Sequence, residues 1–329
     1  MRAILTLFLA AILLVAGWLA YGLLLPIGPK GQEKFVMLRP GSSARHIARE
    51  LKDAGMIRSA PAFLALHYWR GGPTLKAGEY KFDHPAGARE VYGRIAAGDI
   101  YVHTVVIPEG FNIFDIADAI QEAGLGPRDD FLAVAHADIS LISDLDPDAP
   151  SLEGYLFPDT YEFTRTQSLH DMAAAMVKRF RQENHQLGLT ADFHRVVTMA
   201  SIVEKETAVP AERPLVASVF YNRLHRNIIL ATDPTVIYAA LLAGRYNGVI
   251  HQSDLQLDSP FNTYKHAGLP PGPICNPGRD SLQAAMEPAS SEFLYFVSDN
   301  NGHHRFARTM EEHSRNVAAY RRAVADSRQ

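Results

Sequence analysis

The chain opens on an almost unbroken apolar run from Ala3 to Leu25, and no charged residue occurs between Ala3 and Pro29. A helix of that length would measure about 34 Å, enough to cross a hydrocarbon core of about 30 Å. Arg2 precedes the run, and Trp18 and Tyr21 sit near its far end, where interfacial aromatics belong. A cleaved signal peptide is the competing reading. Its apolar core would be shorter, about 7 to 15 residues, and followed by a small-x-small cleavage site, which Leu23 to Pro26 does not offer. The pattern predicts an uncleaved anchor over residues 1–29, with a short cytoplasmic start and an exported body.

Beyond the anchor, residues 34–125 contain a degenerate repeat. Lys34 to Leu38 reads as a strand. A Pro-Gly-Ser-Ser turn follows, then a helix with Ile47, Ala48, Leu51 and Ala54 on one face, stopped by Gly55. The unit returns as a strand-like Val102 to Ile107, a Pro-Glu-Gly turn, and Ile116, Ala117, Ile120 and Ala123 before Gly124. Between the copies the pattern predicts a helix at Phe63 to Trp69, a strand within Leu75 to Phe82, and a helix near Tyr92 to Ala97. Trp69, Tyr80 and Phe82 are expected in the core rather than in a ligand groove.

An Asp- and Pro-rich stretch from Ser140 to Ser151 marks a domain border near residue 145. After it, helical periodicity appears at Leu169 to Asn184, with Met172, Met176, Val177 and Phe180 on the apolar side. Further helices are expected at Phe193 to Thr207 (capped by Thr190 or Asp192), Pro210 to Asn222 and Thr235 to Leu242. Residues 244–280 are rich in Gly, Pro, Asn and Ser and read as a long functional loop region. A strand at Phe293 to Val297, a return strand at His304 to Ala307 and a helix from Glu311 to Ala325 close the chain.

Composition narrows the possibilities. Hydrophobic residues make up 47% of 329 and charged residues 21%, which excludes a wholly disordered chain and a multi-span transporter. A net charge of -4 gives no basic domain, so no nucleic-acid partner is expected. One cysteine, Cys275, excludes an intramolecular disulfide and a multi-thiolate metal site.

The candidate chemistry centres on one carboxylate. Phe193, Val196, Val197, Ala200 and Val203 define the buried side of their helix, and Glu204 falls beside that stripe, four residues past Ala200. Desolvation there would raise its pKa and keep a proton for a sugar leaving group. Glu206 is turned by about 200° and is expected to face elsewhere. Thr232, Asp233, Asn262, Thr263 and Tyr264 are polar loop residues suited to a polyhydroxylated chain, and Tyr155, Phe157, Tyr161 and Tyr221 offer flat faces for sugar rings. No Gly-x-Ser-x-Gly elbow surrounds any serine. His303, His304 and His313 lack the companions of a metal motif, and Asp144, Asp146 and Asp148 lack a calcium-loop pattern. No metal and no cofactor are expected.

Several blocks in order carry a resemblance. They include Glu153-Gly-Tyr-Leu-Phe-Pro-Asp-Thr-Tyr161, Ala200-Ser-Ile-Val-Glu-Lys-Glu-Thr207, Val219-Phe-Tyr-Asn-Arg-Leu224, Thr232-Asp-Pro-Thr-Val-Ile-Tyr238, Ser259-Pro-Phe-Asn-Thr-Tyr264 and Gly268-Leu-Pro-Pro-Gly-Pro-Ile274. In these the sequence resembles the YceG-like family of endolytic murein transglycosylases. The resemblance implies an α+β protein with an N-terminal transmembrane helix (1–29), a LysM-like glycan-binding region (30–145) and a mixed α/β catalytic domain (146–329). It implies a single-pass protein of the cytoplasmic (inner) membrane with a periplasmic body. Its substrate would be peptidoglycan glycan strands, and cell-wall synthases are its implied partners.

The resemblance puts the acid/base at Glu204, with Glu153 in support and Asn222 joining the substrate-binding residues above. Glu204 would protonate the oxygen between N-acetylmuramic acid and N-acetylglucosamine, and the muramyl 6-hydroxyl would then close a 1,6-anhydro ring. Ala231 departs from the pattern, which has glutamine before Thr232-Asp-Pro-Thr. Two alternatives remain at this stage: a membrane-anchored glycan-binding scaffold without catalysis, and a muramidase that adds water.

Overall fold

The structure, a computed structural model, describes residues 1–326. They form an α+β chain in two compact units, one comprising 1–104 with 162–168, the other 105–161 with the chain from Leu169 onward.

In the first unit a long apolar helix, α1 (Arg2–Leu24), is long and apolar enough to cross a membrane and is exposed along almost its whole length. Strand β1 (Lys34–Leu38), helices α2 (Ala44–Asp53) and α3 (Ala60–Trp69), strand β2 (Gly78–Phe82) and helix α4 (Ala88–Ala97) follow. The strands pair antiparallel, from Lys34 opposite Phe82 to Leu38 opposite Gly78. Ser43 caps α2 by accepting from the His46 N–H at 3.3 Å, and Ser59 caps α3 through the Ala62 N–H at 3.2 Å. Leu38, Ile47, Leu51, Phe63, Tyr80, Phe82 and Ile95 fill the core. Tyr80 and Phe82 are buried as expected, whereas Trp69 is 82% exposed at the end of α3.

Both copies of the repeat end in the same stop. Gly55 (φ +72°) donates to Lys52 O while Met56 donates to Leu51 O; Gly124 (φ +68°) donates to Gln121 O while Leu125 donates to Ile120 O. Paired bonds around a left-handed glycine are the Schellman closure. The two copies nevertheless divide between the units. The second strand, β3 (His103–Val106), lies across the border, and its helix α5 (Ile113–Glu122) folds with the second unit. The border expected near residue 145 therefore falls inside a compact unit. The start of α5 is held there by its Asn112–Asp115 capping box and by Glu153, which accepts from the Ile113 N–H at 3.0 Å.

The second unit continues with α6 (Arg128–Ala137), then β4 (Thr160–Phe163), which is divided between the two units, and α7 (Leu169–Leu187), α8 (Phe193–Glu206), α9 (Arg213–His225), α10 (Asp233–Leu242) and α11 (Arg279–Met286). A hairpin, β5 (Tyr295–Ser298) with β6 (His304–Ala307), and helix α12 (Met310–Asp326) complete it. Helix α8 is the axis. Phe193 and every residue from Val196 to Val203 are buried, against α9, α10 and α11. Asp192 stands at its N-cap with φ +57° and makes no side-chain capping bond.

The long loop before α11 is fastened by Asn276. Its side chain donates to Phe111 O (3.0 Å) and Glu153 Oε1 (2.9 Å) and accepts from the Leu156 N–H (2.8 Å). One residue thus ties three segments remote in sequence.

Candidate active site

The last turn of α8 carries two carboxylates with different surroundings. Glu204 is bound as an ion pair. Its Oε1 lies 2.9 Å from Nη2 of Arg213, and its Oε2 accepts from the Gly278 N–H at 3.0 Å. Both side chains of that pair are only 6% exposed. Arg213 also approaches Glu109 at 3.5 Å and Asp280 at 3.8 Å. Burial, followed by the charge of Glu204, raises the Glu109 pKa.

Glu206, two residues on, lines a polar cavity of about 250 Å³ together with Arg223, Ala231, Thr232, Asp233, Tyr264 and His313. Burial pushes its pKa above the ordinary carboxylate range, with the neighbouring Asp233 charge adding to the effect. The Thr232 hydroxyl donates to Glu206 Oε1 and partly opposes that rise. The walls are held firmly. Arg223 donates to Leu294 O (2.6 Å) and Leu230 O (2.7 Å), and the Tyr264 hydroxyl donates to Asp233 at 2.7 Å. His313 contributes a ring stacked on Tyr295, with a buried Nδ1 that has no hydrogen-bond partner among the described residues.

The expected site residues separate into two groups. Thr232, Asp233 and Tyr264 meet at this cavity. The others are engaged in the fold. Tyr155 is fully buried, donates to Asp146 at 2.6 Å and meets the Phe180 ring edge-on, so no face is left for a sugar. Phe157 and Tyr161 are likewise buried. The Tyr221 hydroxyl donates to Ala285 O at 2.9 Å, and Asn222 clamps Ser291 O and Phe293 O at 2.9 and 3.0 Å. Asn262 donates to Leu255 O and Leu257 O, and Thr263 bonds the Thr232 N–H and the Thr235 hydroxyl.

Glu204 does not line the cavity. Glu153 lies fully enclosed between Ile113, Asn276 and Tyr238, with burial raising its pKa to about 8. Its place is that of a fastening inside the unit. His303 and His304 both bond Glu212, at 3.0 and 2.7 Å, which fixes the hairpin turn.

Arg223 and Phe296 line the cavity unmarked by the sequence pattern, which turns Glu206 elsewhere and sets His313 aside. No spacing rule joins the four, because they come from α8, α9, β5 and α12 and meet only in three dimensions. Their arrangement, an acid of raised pKa opening on a small polar cavity, is equipment for general-acid chemistry.

Comparison with known proteins gives this arrangement its setting. The chain matches the YceG-like family over residues 36–319. It is 33% identical to the endolytic murein transglycosylase of Bacillus subtilis (strain 168), covering 94% of this chain and 91% of that protein. It is 31% identical to the endolytic murein transglycosylase of Streptococcus pneumoniae (strain D39), covering 90% of this chain and 60% of that longer protein. The crystal structure of a yceG-like protein from Listeria monocytogenes superposes with a TM-score of 0.57 at 33% identity, covering 87% of this chain and 99% of that one. The chain belongs to the YceG-like family.

Proposed function

We propose that this protein is a membrane-attached endolytic murein transglycosylase whose acid/base is Glu206. It cleaves the bond between N-acetylmuramic acid and N-acetylglucosamine within glycan strands. Glu206 in its acid form gives its proton to the glycosidic oxygen as the bond to the muramyl anomeric carbon breaks. The resulting carboxylate takes the proton of the muramyl 6-hydroxyl as that oxygen bonds to the same carbon. The product is a 1,6-anhydromuramyl end, and the acid returns to its starting state. One carboxyl suffices because the nucleophile belongs to the substrate, whereas glycosidases that add water place two carboxyls at a set separation.

The observation that carries the assignment is the contrast at the end of α8. Glu206 opens on a polar cavity with a raised pKa, while Glu204 is committed to Arg213 and the Gly278 N–H. Thr232, Asp233 and Tyr264 supply hydroxyl and carboxylate partners for the sugars. The first unit supports a LysM-like glycan-binding reading through its order of strand, two helices and strand with the strands antiparallel. Helix α1 supports a single-pass anchor, and a murein substrate calls for the body to lie on the periplasmic side, where cell-wall synthases would be met.

The test is mass-resolved product analysis on purified glycan strands with wild type, Glu206→Gln and Glu204→Gln, each checked for folding. Anhydromuramyl ends are expected from the wild type and from Glu204→Gln, and a loss of roughly 10² to 10⁴ in rate from Glu206→Gln. Activity kept by Glu206→Gln and lost by Glu204→Gln would return the acid to Glu204. Glycan binding without any cleavage would make the protein a scaffold, and reducing ends would make it a muramidase.

A further inference from the structure

The end of α1 is built into the first unit. Gly22 is buried against the start of α3, where a Cβ would stand 2.9 Å from Cβ of Ala62. At Gly87 a Cβ would meet the carbonyls of Leu23 and Leu24 at 3.0 and 3.2 Å. Arg58 donates to Leu25 O (3.3 Å) and Pro26 O (3.0 Å) and lies over the Tyr21 ring at 5.3 Å. Ile27 and Ala86 exchange backbone bonds at 3.0 Å. A span fastened in this way holds the α3–α4 face at the surface of whatever bilayer α1 crosses.

That face carries a trough of about 610 Å³. Leu19, Leu23 and Leu24 of α1 line it together with Trp69, Arg70 and Arg89. We propose that the trough binds an anionic glycerophospholipid, one acyl chain lying along the leucines and the phosphate paired with Arg70 and Arg89. The inference rests on reading α1 as a membrane span.

Three observations single out this occupant. Three of the trough's four leucines belong to α1, the helix read as crossing the bilayer, so this part of the apolar wall continues the lipid-facing surface of α1. Arg70 and Arg89 are exposed and, among the described residues, neither has an acidic partner. Arg89 lies in the first turn of α4, where the helix dipole disfavours a cation, so helix stability does not explain it. Trp69, 82% exposed beside Tyr68 at 61%, is the amphipathic ring expected at headgroup depth. Free phosphate would make no use of the apolar wall, and a sugar would make none of the leucines.

The protein has two tryptophans, Trp18 in the span and Trp69 at the trough, so conservative substitution of one isolates the fluorescence of the other. The full chain is placed in phosphatidylcholine nanodiscs carrying a minor fraction of brominated phosphatidylglycerol, or the same fraction of brominated phosphatidylcholine. In Trp69→Phe, Trp18 is expected to be quenched equally by both lipids. In Trp18→Phe, Trp69 is expected to be quenched several-fold more by the phosphatidylglycerol. Adding Arg70→Gln and Arg89→Gln is expected to bring that preference down to near parity, two basic groups having been removed from the surface.

Equal quenching of Trp69 by both lipids, indifferent to the arginines, would reduce the trough to ordinary interface and overturn the proposal. No quenching of Trp69 while Trp18 is quenched would overturn it as well. Displacement of the brominated lipid by stoichiometric polyprenyl phosphate would replace the phospholipid by an isoprenoid carrier. Trp18 left unquenched would instead overturn the membrane reading beneath it.

Discussion

The Thr232 hydroxyl donates a hydrogen bond to Oε1 of Glu206, joining the residue before α10 to the last residue of α8. The bond favours the ionised carboxyl and so works against the rise that burial imposes. Thr232→Val removes the donor and keeps the branched shape. With Glu206 acting as an acid, activity falls as pH rises through its pKa. The variant is therefore expected to move the alkaline limb of the kcat/KM profile to higher pH. A loss of activity at every pH with the limb unmoved would mean that Thr232 serves only the packing of the cavity.

The Glu204–Arg213 pair is expected to matter for stability more than for turnover. Both side chains are nearly excluded from water, so Glu204→Gln takes the nearest counter-charge from a buried guanidinium and leaves it the more distant Glu109 and Asp280. Breaking one partner of a buried pair costs up to about 3–5 kcal/mol. Urea unfolding should show that loss in Glu204→Gln and little of it in Glu204→Gln combined with Arg213→Met. A stable Glu204→Gln protein with no activity would point the opposite way, to a catalytic role for Glu204.

These two residues also show where sequence reasoning reached and where it stopped. Elements governed by local rules were legible: the left-handed glycines at Gly55 and Gly124, the apolar faces of α2, α5 and α7, and the return strand at His304 to Ala307. At α8 the helical wheel is too coarse to rank the two carboxylates. Its argument needs a polar face, yet Val196 to Val203 are buried all the way round. Neither carboxylate then has a solvent side to turn to, and which one reaches a cavity depends on Thr232, Arg213 and Gly278, none of them local. Asn222, Asn262 and Thr263 raise a related point. Polar side chains read as ligand partners until the backbone groups they bond are known.

Glu153 predicts a pH dependence of folding. Burial raises its pKa from 4.5 to about 8. Between those values the folded chain holds a proton that the unfolded chain has released, so stability is greatest below the lower value and declines as pH rises through the window. The slope for one such group approaches about 1.4 kcal/mol per pH unit. Glu153→Gln cannot titrate and is expected to flatten the decline in urea midpoint between about pH 5 and about pH 8. It also starts from a lower midpoint, since Ile113 N–H and Asn276 Nδ2 meet different oxygens of Glu153 and an amide sets an NH2 against one of them. Some slope persists from Glu109 and Glu206, whose pKa values are raised too. A full slope in the variant would show that Glu153 is already ionised in the folded protein.

Ala231 lines the cavity with a left-handed backbone, φ +48°, its N–H bonded to Thr263 O at 3.1 Å. Two substitutions separate its conformation from its side chain. Ala231→Gly relieves a conformation that costs an L-residue about 1 kcal/mol, and is expected to raise the unfolding midpoint while leaving turnover near wild type. Ala231→Gln keeps the same backbone demand and extends an amide into the cavity beside Glu206. In steady-state assays on defined glycan strands it is expected to lower KM more than it changes kcat, since an added contact to bound sugar acts on ground and transition states alike. A rise confined to kcat would instead mean that the amide acts on the proton transfer of Glu206. An unchanged KM and kcat would place the sugar path away from this wall.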